Sequence, residues 1–445
     1  MKAVLVTGTG AVSSFGVGTE ILWDNCLQGN SIVKPIPDCW QNFTSYRSSI
    51  WSPLPEIDYL KFGFSSLELT QLDPVTRISL IAAWEALERA GIEISRSDLP
   101  AGPDDLTGID KARMGVFIGT GIGGATSMLD NYAYHIVKSA KGSLSRYPGE
   151  PDLARLAEIA AGRRRVNPFV VSMTMANATA ATIGIKFGIK GINHTYPYAC
   201  ASATYAIGEA CRAISENRLD IAIAGGCEYF ADTAGGLFMS FDIARTLVSN
   251  CDDPQTANRP FDKARSGFLF GQGGCGMLVL ESKNHALKRG AEVLATCTGY
   301  GESFDAFNIM SNATDGSQLT KMVQETLDDA GLRPDQIDYI NAHGTGTETN
   351  DAAEAAVVER IFGNKPKINS SKSLLGHTLG ASGGLEAVIC VKSISSQGSH
   401  LCKNLETPVR DLNFITGPEN FEIRHCMSQS FAFGGHNAAL IFSRY

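Results

Sequence analysis

The sequence predicts an α/β protein built from two related halves. Short apolar runs that are typical of strands alternate with helical patterns, which favours βαβ units and a mainly parallel sheet. A strand, a glycine-rich turn and a helix follow one another repeatedly along the chain. A run of small residues that leads from a loop into a helix near residue 200 is echoed at 374–388, as a duplicated fold would produce.

Size and composition exclude several classes of protein. The 445 residues, 44% of them hydrophobic, fit two or three domains with a large core. A net charge of −8 without a basic stripe argues against nucleic-acid binding. Eleven cysteines without a CxxC pair or a histidine cluster indicate reduced thiols, a cytoplasmic protein and no structural metal site. The first residues resemble a strand rather than a signal peptide, and no apolar run approaches the length of a membrane span.

The order of elements follows from the apolar patterns. The first strand is expected to end at a Gly8-Thr9-Gly10 turn, which lacks the third glycine of a dinucleotide-binding motif. Strands are predicted at 3–6, 114–118, 220–226, 275–280, 293–299 and 339–343, and helices at 74–90, 207–214, 281–289, 318–330 and 352–362. Surface loops or polar segments are predicted at 32–66, 98–111 and 131–165.

One cysteine lies where a loop opens into a helix. The stretch 198–208 brings Cys200 to the N-terminus of the helix, between small residues that leave room for a substrate. The free N–H groups and the dipole of the helix favour thiolate there, so Cys200 is a candidate nucleophile. The alternative is a buried structural cysteine, which is the commoner fate of a cysteine in an apolar run.

Three further stretches carry residues suited to chemistry. His343 follows a predicted strand, Lys372 and His377 lie five residues apart, and residues 430–437 form a glycine turn whose N–H groups could bind an oxyanion. Each residue alone could be structural, since a single histidine or lysine usually is. Their occurrence together favours one active site.

These four stretches resemble the β-ketoacyl-[acyl-carrier-protein] synthases of the thiolase fold, especially the II-type elongating enzymes and the type II polyketide and aryl-polyene ketosynthases. The resemblance covers essentially the whole chain. It implies a five-layer αβαβα architecture of two βαβαβαββ halves, residues 1–288 with the cysteine and insertions near 98–165, and residues 289–445 with the histidines, the lysine and the glycine turn.

Neighbouring families differ at identifiable residues. Thiolases carry a second cysteine in a Cys-x-Gly motif, whereas Cys426 is followed by Met-Ser. Initiating synthases and chalcone-synthase-like enzymes have asparagine where this chain has His377. Chain-length-factor subunits lack the nucleophile, and this chain keeps Cys200.

The resemblance implies a decarboxylative Claisen condensation in fatty-acid or polyketide chain elongation. Cys200 would hold the acyl group, His343 and His377 would stabilise the charge that develops on malonyl-carrier protein, and Lys372 would order the site through Glu354. The Phe433 turn, with Phe431, would bind the oxyanion and gate the site. Thr345 and Thr347 would bind the pantetheine arm. Ile122 would line the acyl pocket across a dimer interface.

The implied partners are an acyl carrier protein and a second subunit. No bound cofactor and no metal are expected, because the substrates arrive on the phosphopantetheine arm. The subunit would pair with itself, or with a chain-length-factor-like partner whose pocket it completes. Residues 65–73 lack the basic side chains that many elongating synthases present to the acidic carrier. That attraction would fall to Arg163, Arg164, Arg165 and Arg245.

Overall fold

The computed structural model describes residues 4–41, 46–97, 102–144, 166–249 and 253–445. Ten strands and the short Gly16–Val17 segment beside the first of them form one continuous sheet in this part of the chain. The ten are β1 (Val4–Ser13), β2 (Met114–Gly119), β3 (Asn193–Tyr196), β4 (Ile221–Tyr229), β5 (Gly273–Ser282), β6 (Ala295–Phe304), β7 (Tyr339–Asn341), β8 (Lys367–Asn369), β9 (His425–Phe431) and β10 (His436–Ser443).

The strand order shows that the two halves share one topology. From edge to edge the order is β8-β7-β9-β10-β6-β1-β5-β4-β2-β3, so each half contributes five strands in the same arrangement. In each half the second strand pairs parallel with the third and the fourth, and the fifth pairs antiparallel with the fourth and the first. The predicted duplication is therefore confirmed. The two halves join where β1 pairs with β6.

Eight longer helices among the described residues complete the two repeats. They are α1 (Thr19–Leu27), α2 (Pro74–Arg89), α3 (Ala125–Leu144), α4 (Ala178–Lys186), α5 (Ser202–Ser215), α6 (Ser317–Ala330), α7 (Glu348–Phe362) and α8 (Ser382–Ser396). Helices α5 and α8 pack against each other and contact strands of both halves, whereas α2 covers the first half and α6 the second. The result is the predicted five-layer arrangement of βαβαβαββ halves. The division at residue 288 stays a prediction, and it falls in the last turn of the Lys283–Arg289 helix.

The prediction of a mainly parallel sheet is wrong. The long strands at the centre, β1, β5, β6 and β10, pair antiparallel, and only the outer strands of each half run parallel. The alternation of strands and helices hid this, because β4 and β5 pair antiparallel although the short Gly236–Ile243 helix lies between them, and β9 and β10 pair as a direct hairpin.

The first strand also continues through its glycines instead of turning there. A Cβ atom on Gly8 would lie 2.0 Å from the Ala86 carbonyl oxygen, and one on Gly10 would lie 1.9 Å from the Ala82 carbonyl oxygen. These glycines allow α2 to lie directly on β1, and they do not form a turn.

Shorter elements fill the predicted loops. Residues 32–66 bury Trp40 and Trp51, so this segment is not simply surface, and α3 occupies the start of the predicted polar segment 131–165. The short helices are Asp38–Gln41, Ser66–Gln71, Val170–Thr174, Gly236–Ile243, Lys283–Arg289 and Lys372–Leu375, with 3₁₀ turns at Tyr59–Phe62, Ala199–Ala201, Pro254–Thr256, Pro334–Gln336 and Leu379–Ala381. Two-residue strands pair Lys34–Pro35 with Ile50–Trp51, Ile94–Ser95 with Asp105–Leu106, and Gly398–Ser399 with Glu419–Asn420.

The two central helices begin in the same way. A 3₁₀ turn precedes each of them, Ala199–Ala201 before α5 and Leu379–Ala381 before α8. The first residue of each turn has a left-handed backbone, with φ of 47° at Ala199 and 49° at Leu379. The sequence echo at 374–388 is therefore a structural repeat, in which Cys200 and Gly380 occupy equivalent positions.

Within the described residues, no helix combines the length and the apolar character that crossing a membrane requires.

Candidate active site

The structure brings Cys200, His343 and His377 together at the interface between the two halves. The Sγ atom of Cys200 lies 3.0 Å from Nε2 of His377, and the two imidazole rings are 5.6 Å apart and nearly perpendicular. All three side chains are at most 3% exposed. The cysteine comes from the turn before α5, and the histidines follow β7 and precede α8. Residues separated by up to 177 positions therefore form one cluster.

The thiol of Cys200 is held in its protonated form by burial. Burial raises its pKa to about 12, although the charge of Lys372 and the N–H groups of Phe433 and of Cys200 itself pull the pKa down. The expectation that the helix N-terminus favours thiolate in the empty site is therefore wrong, because desolvation outweighs it. The two N–H groups point toward the sulfur, where they could also bind an oxyanion.

His377 is neutral and oriented by its own turn. Burial, and then the charge of Lys372, lower its pKa well below the ordinary value. Its Nδ1 atom lies 3.3 Å from the N–H of Leu379, which can only donate, and 3.0 Å from the hydroxyl of Ser382. When Nδ1 accepts these bonds, Nε2 carries the proton and donates it toward Cys200.

Lys372 fixes which ring nitrogen of His343 carries the proton. The ammonium of Lys372 donates to the His343 carbonyl oxygen at 2.7 Å and lies 3.3 Å from its Nδ1 atom. An ammonium group cannot accept a hydrogen bond, so Nδ1 is the acceptor and Nε2 carries the proton. Burial, Lys372 and His377 together lower the pKa of His343 well below its ordinary value. Both histidines thus present a donor to the cavity.

The carboxylate that pairs with Lys372 is Glu386, on α8, at 2.5 Å. The sequence predicts that Lys372 orders the site through Glu354, but the carboxylate at hydrogen-bond distance from its ammonium is Glu386. Glu354 instead accepts the N–H groups of His343 and Gly344, both at 2.7 Å, and burial raises its pKa to about 8.

Asp351 of helix α7 fixes the loop that follows His343. Asp351 is fully buried and accepts the N–H groups of Thr345 and Gly346. The hydroxyl groups of Thr345 and Thr347 lie 2.9 Å apart. The two threonines therefore present a fixed pair of hydroxyl groups beside the histidines.

A narrow cavity of about 40 Å³ connects these groups. Besides Cys200, His343 and His377, it is lined by Phe268, Met310, Ser311, Asn312, Thr345, Thr347, Thr349, Asn350, Phe431 and Phe433. Phe431, the last residue of β9, packs edge-on against His343 at 5.4 Å. Both threonines and both phenylalanines that the sequence singled out thus line the same cavity as the cysteine.

The other predicted residues lie elsewhere. The side chain of Ile122 is 48% exposed and does not line this cavity, and its N–H contacts the buried Glu228. Arg245 is exposed, in a left-handed turn after the Gly236–Ile243 helix. Arg163, Arg164 and Arg165 lie outside the described residues.

The donor atoms of Cys200, His343 and His377 lie within 4.8 Å of one another, which is the spacing of a metal site. The charge on Lys372, 3.3 Å from His343, opposes a cation at this position. A thiol with two neutral donors beside an ammonium fits a reaction that develops negative charge on oxygen.

Two of the residues that sequence reasoning missed contact the reactive side chains or their lysine directly. Glu386 is the one charged residue in the first nine residues of the otherwise small and apolar α8, a pattern that signals a buried charge. Ser382, the first residue of α8, carried no such signal, because serine is common at helix starts.

Family models match most of the chain. The N-terminal domain of β-ketoacyl synthases matches residues 1–286, and the C-terminal domain of β-ketoacyl synthases matches residues 294–406. The chloroplastic 3-oxoacyl-[acyl-carrier-protein] synthase I of Arabidopsis thaliana is 34% identical over 457 residues, which cover 100% of this chain and 87% of that protein. The 3-oxoacyl-[acyl-carrier-protein] synthase 2 of Coxiella burnetii is 34% identical over 450 residues, which cover 100% of this chain and 99% of that protein.

Solved structures agree with this fold. A type II polyketide ketosynthase bound to a hexaketide, in complex with its acyl-carrier protein, superposes with a TM-score of 0.81 at 25% identity, covering 100% of this chain and 99% of that chain. The ishigamide ketosynthase/chain length factor superposes with a TM-score of 0.81 at 26% identity and the same coverage.

Proposed function

Because the chain belongs to the β-ketoacyl synthase family, we propose that it is a 3-oxoacyl-[acyl-carrier-protein] synthase, an acyltransferase that extends an acyl chain by decarboxylative condensation with malonyl-carrier protein. The observation that carries this proposal is the buried Cys200–His377–His343 cluster beside Lys372. It places one nucleophile and two neutral hydrogen-bond donors in a single cavity.

In the first half-reaction Cys200 takes the acyl group. Its sulfur attacks the thioester carbonyl carbon of the acyl-carrier protein, a new C–S bond forms, and the old C–S bond breaks. The proton of the Cys200 thiol ends on the departing pantetheine sulfur, and the Nε2–H of His377, 3.0 Å from the Cys200 sulfur, stabilises the negative charge that develops there as the proton leaves. The N–H groups of Cys200 and Phe433 would stabilise the tetrahedral oxyanion.

In the second half-reaction malonyl-carrier protein replaces the first carrier. The bond to its carboxylate breaks, CO₂ leaves, and the electron pair becomes an enolate whose oxygen accepts hydrogen bonds from Nε2 of His343 and His377. The carbanion carbon then attacks the acyl group on Cys200, which forms a C–C bond and frees the sulfur. Loss of CO₂ drives the condensation forward.

The residues around the cluster support these steps. Lys372, neutralised by Glu386, keeps His343 in the donating tautomer, and Glu354 fixes the backbone of His343. The hydroxyl pair of Thr345 and Thr347 lies where it could bind the pantetheine arm, and Phe433 lies where it could gate the cavity.

The partners follow from the same assignment. The carrier protein presents the substrates, and Arg245 with Arg163, Arg164 and Arg165 are the candidates for its dock. A second subunit would cover the exposed Ile122, and it would be a second copy of this chain or a chain-length-factor-like protein, as in the ishigamide structure. The described cysteines are all free thiols, which suits the cytoplasm or another reducing compartment.

Acylation of Cys200 tests the proposal. Wild-type protein incubated with an acyl-carrier protein should gain the mass of the acyl group, and Cys200→Ala should not. Cys211→Ala, which removes a buried thiol from the same helix, is the matched control and should acylate normally. Acylation of Cys200→Ala at the wild-type rate would overturn the assignment. Decarboxylation of malonyl-carrier protein should persist in Cys200→Ala, because the histidines remain.

A further inference from the structure

A histidine that the proposed reaction does not use lies between the two turns that hold the reactive groups. The ring of His436, at the start of β10, stacks on the ring of Tyr198 with 4.5 Å between centroids and 19° between planes. The His436 ring also contacts Phe304, at 5.1 Å, which pairs with His436 in the β6–β10 ladder, and Tyr205 of α5, at 6.0 Å. The His436 ring thus bridges the two halves of the molecule.

Tyr198 is bonded directly to the turn that carries Cys200. Its N–H donates to the hydroxyl of Ser202 at 2.9 Å, and its carbonyl oxygen accepts the N–H of Ala201 at 3.1 Å. Ala201 ends the turn that contains Cys200, and Ser202 is the first residue of α5, so Tyr198 is bonded to the two residues that directly follow the cysteine. A shift of the Tyr198 ring therefore moves the backbone that aims the Cys200 N–H.

His436 is bonded in the same way to the turn that carries Phe433. Its carbonyl oxygen accepts the N–H of Ala432 at 2.9 Å, and the Ala432 carbonyl oxygen accepts the N–H of Gly435 at 3.0 Å. Gly434 and Gly435, with φ of 87° and 82°, make the backbone between Phe433 and His436 a left-handed turn, in which the Gly434 N–H donates to the Ile309 carbonyl oxygen at 2.8 Å. The stacked ring links this turn directly to the cysteine turn, beside the Tyr205 hydroxyl, which donates to the Asn437 carbonyl oxygen at 3.2 Å.

We propose that His436 is a positioning residue for acyl transfer. Its stack on Tyr198 sets the distance between the Cys200 N–H and the Phe433 N–H, the two donors that bind the oxyanion. This inference rests on the proposed function, since it assigns a role to His436 only in a reaction with a tetrahedral intermediate. The ring itself contacts neither substrate nor the sulfur.

The stack adds a ring contact across the two halves to a turn that is otherwise tied by hydrogen bonds, among them the Asp305 N–H to the Gly435 carbonyl oxygen at 2.8 Å. Deleting a whole oxyanion donor costs roughly 10²–10³ in rate, so displacing one donor without removing it should cost about tenfold.

The test compares acyl transfer, which needs the oxyanion hole, with alkylation, which does not. His436→Ala removes the ring, and His436→Phe keeps a flat ring in the stack. His425→Ala is the matched control, since it removes a half-buried imidazole from the opposite end of the same β9–β10 hairpin. For each protein we would measure the rate of Cys200 acylation by an acyl-carrier protein and the rate of Cys200 alkylation by iodoacetamide. Peptide mass separates Cys200 from the exposed Cys39.

The expected result is a specific loss. In His436→Ala, acylation should slow about tenfold at saturating carrier, with the KM for the carrier within twofold. Alkylation should slow less than acylation, because the Phe433 N–H faces the sulfur in both reactions but binds an oxyanion only in acyl transfer. His436→Phe should recover most of the rate, and His425→Ala should match the wild type.

Three results would overturn the inference: acylation of His436→Ala at the wild-type rate, equal slowing of acylation and alkylation, or a His436→Phe enzyme as slow as His436→Ala. If His436→Ala does not fold, Tyr198→Leu removes the other ring of the stack and is read in the same way. Failure of the wild-type protein to acylate Cys200 would instead overturn the proposed function.

Discussion

Replacing Glu386 with glutamine should strongly destabilise the protein. Lys372 and Glu386 are each 2% exposed and lie 2.5 Å apart. Glutamine would leave the ammonium with the carbonyl oxygen of His343 at 2.7 Å and no negative partner at hydrogen-bond distance. Removing one member of a buried pair costs about 3–5 kcal/mol, because the other charge stays buried and uncompensated.

The matched control is an ion pair of similar length on the surface. Arg410 and Glu359 lie 2.6 Å apart with side chains 42% and 48% exposed. Glu359→Gln should therefore change stability by about 1 kcal/mol or less. The double variant Lys372→Met/Glu386→Leu removes both buried charges and should recover much of the stability lost in Glu386→Gln, while condensation stays lost.

Thermal unfolding measures these differences at one protein concentration, since any oligomer makes Tm depend on concentration. For a chain of this size we expect Glu386→Gln to lower Tm by roughly 6–10 °C, at about 2 °C per kcal/mol. The control should shift Tm by about 2 °C at most. Equal Tm values for the buried and the surface variant, or a double variant no more stable than Glu386→Gln, would refute the reasoning.

Three further predictions concern the histidines and the central layer. Ser382→Ala removes the hydroxyl that lies 3.0 Å from Nδ1 of His377. Because one hydrogen bond is lost, condensation should slow about five- to tenfold in a product-formation assay. An unchanged rate would show that Ser382 does not orient the ring. Burial and Lys372 lower the pKa of His343 and His377 below 6.5, so both histidines stay neutral as the pH falls. The condensation rate should therefore fall only at a pH clearly below 6.5. A fall of the rate at pH 6.5 or above would contradict this. Gly380→Ala places a Cβ atom 2.4 Å from the Gly121 nitrogen and 2.6 Å from a Glu228 carboxylate oxygen, so it should lower the free energy of unfolding by about 1–3 kcal/mol. The control Gly417→Ala, with no atom within 4 Å of the new Cβ, should leave the free energy of unfolding unchanged. Thermal unfolding measures both.

The sequence allowed much of the site to be predicted because its residues lie in short, distinctive stretches. The sequence predicts Cys200, His343, Lys372 and His377 as a group. The structure places Cys200 and both histidines around one cavity, and the ammonium of Lys372 contacts His343. The echo between residues near 200 and 374–388 predicted the duplicated fold, since local backbone geometry is encoded locally. A small-residue turn before a helix has the same sequence requirements in both halves.

What could not be predicted depends on contacts between distant segments. The partner of Lys372 is Glu386 and not Glu354, because the loop before α8 turns the lysine toward that helix. The pKa of Cys200 depends on how completely the two halves exclude water, which no local pattern reveals. The strand directions were also missed, since antiparallel pairs such as β4 with β5 are separated by more than 40 residues of irregular chain and short helices.

The duplication explains why the molecule has one nucleophile and not two. The turns Ala199–Ala201 and Leu379–Ala381 are equivalent, yet Gly380 stands where the first half has Cys200. A side chain at Gly380 would collide with the Gly121 backbone and with Glu228, so the second turn cannot carry a thiol without moving the first half. That turn instead positions His377, three residues before Gly380, against the sulfur of the other half. Because the cysteine comes from one repeat and both histidines from the other, neither half contains the proposed site by itself, and the contact between α5 and α8 is what assembles it.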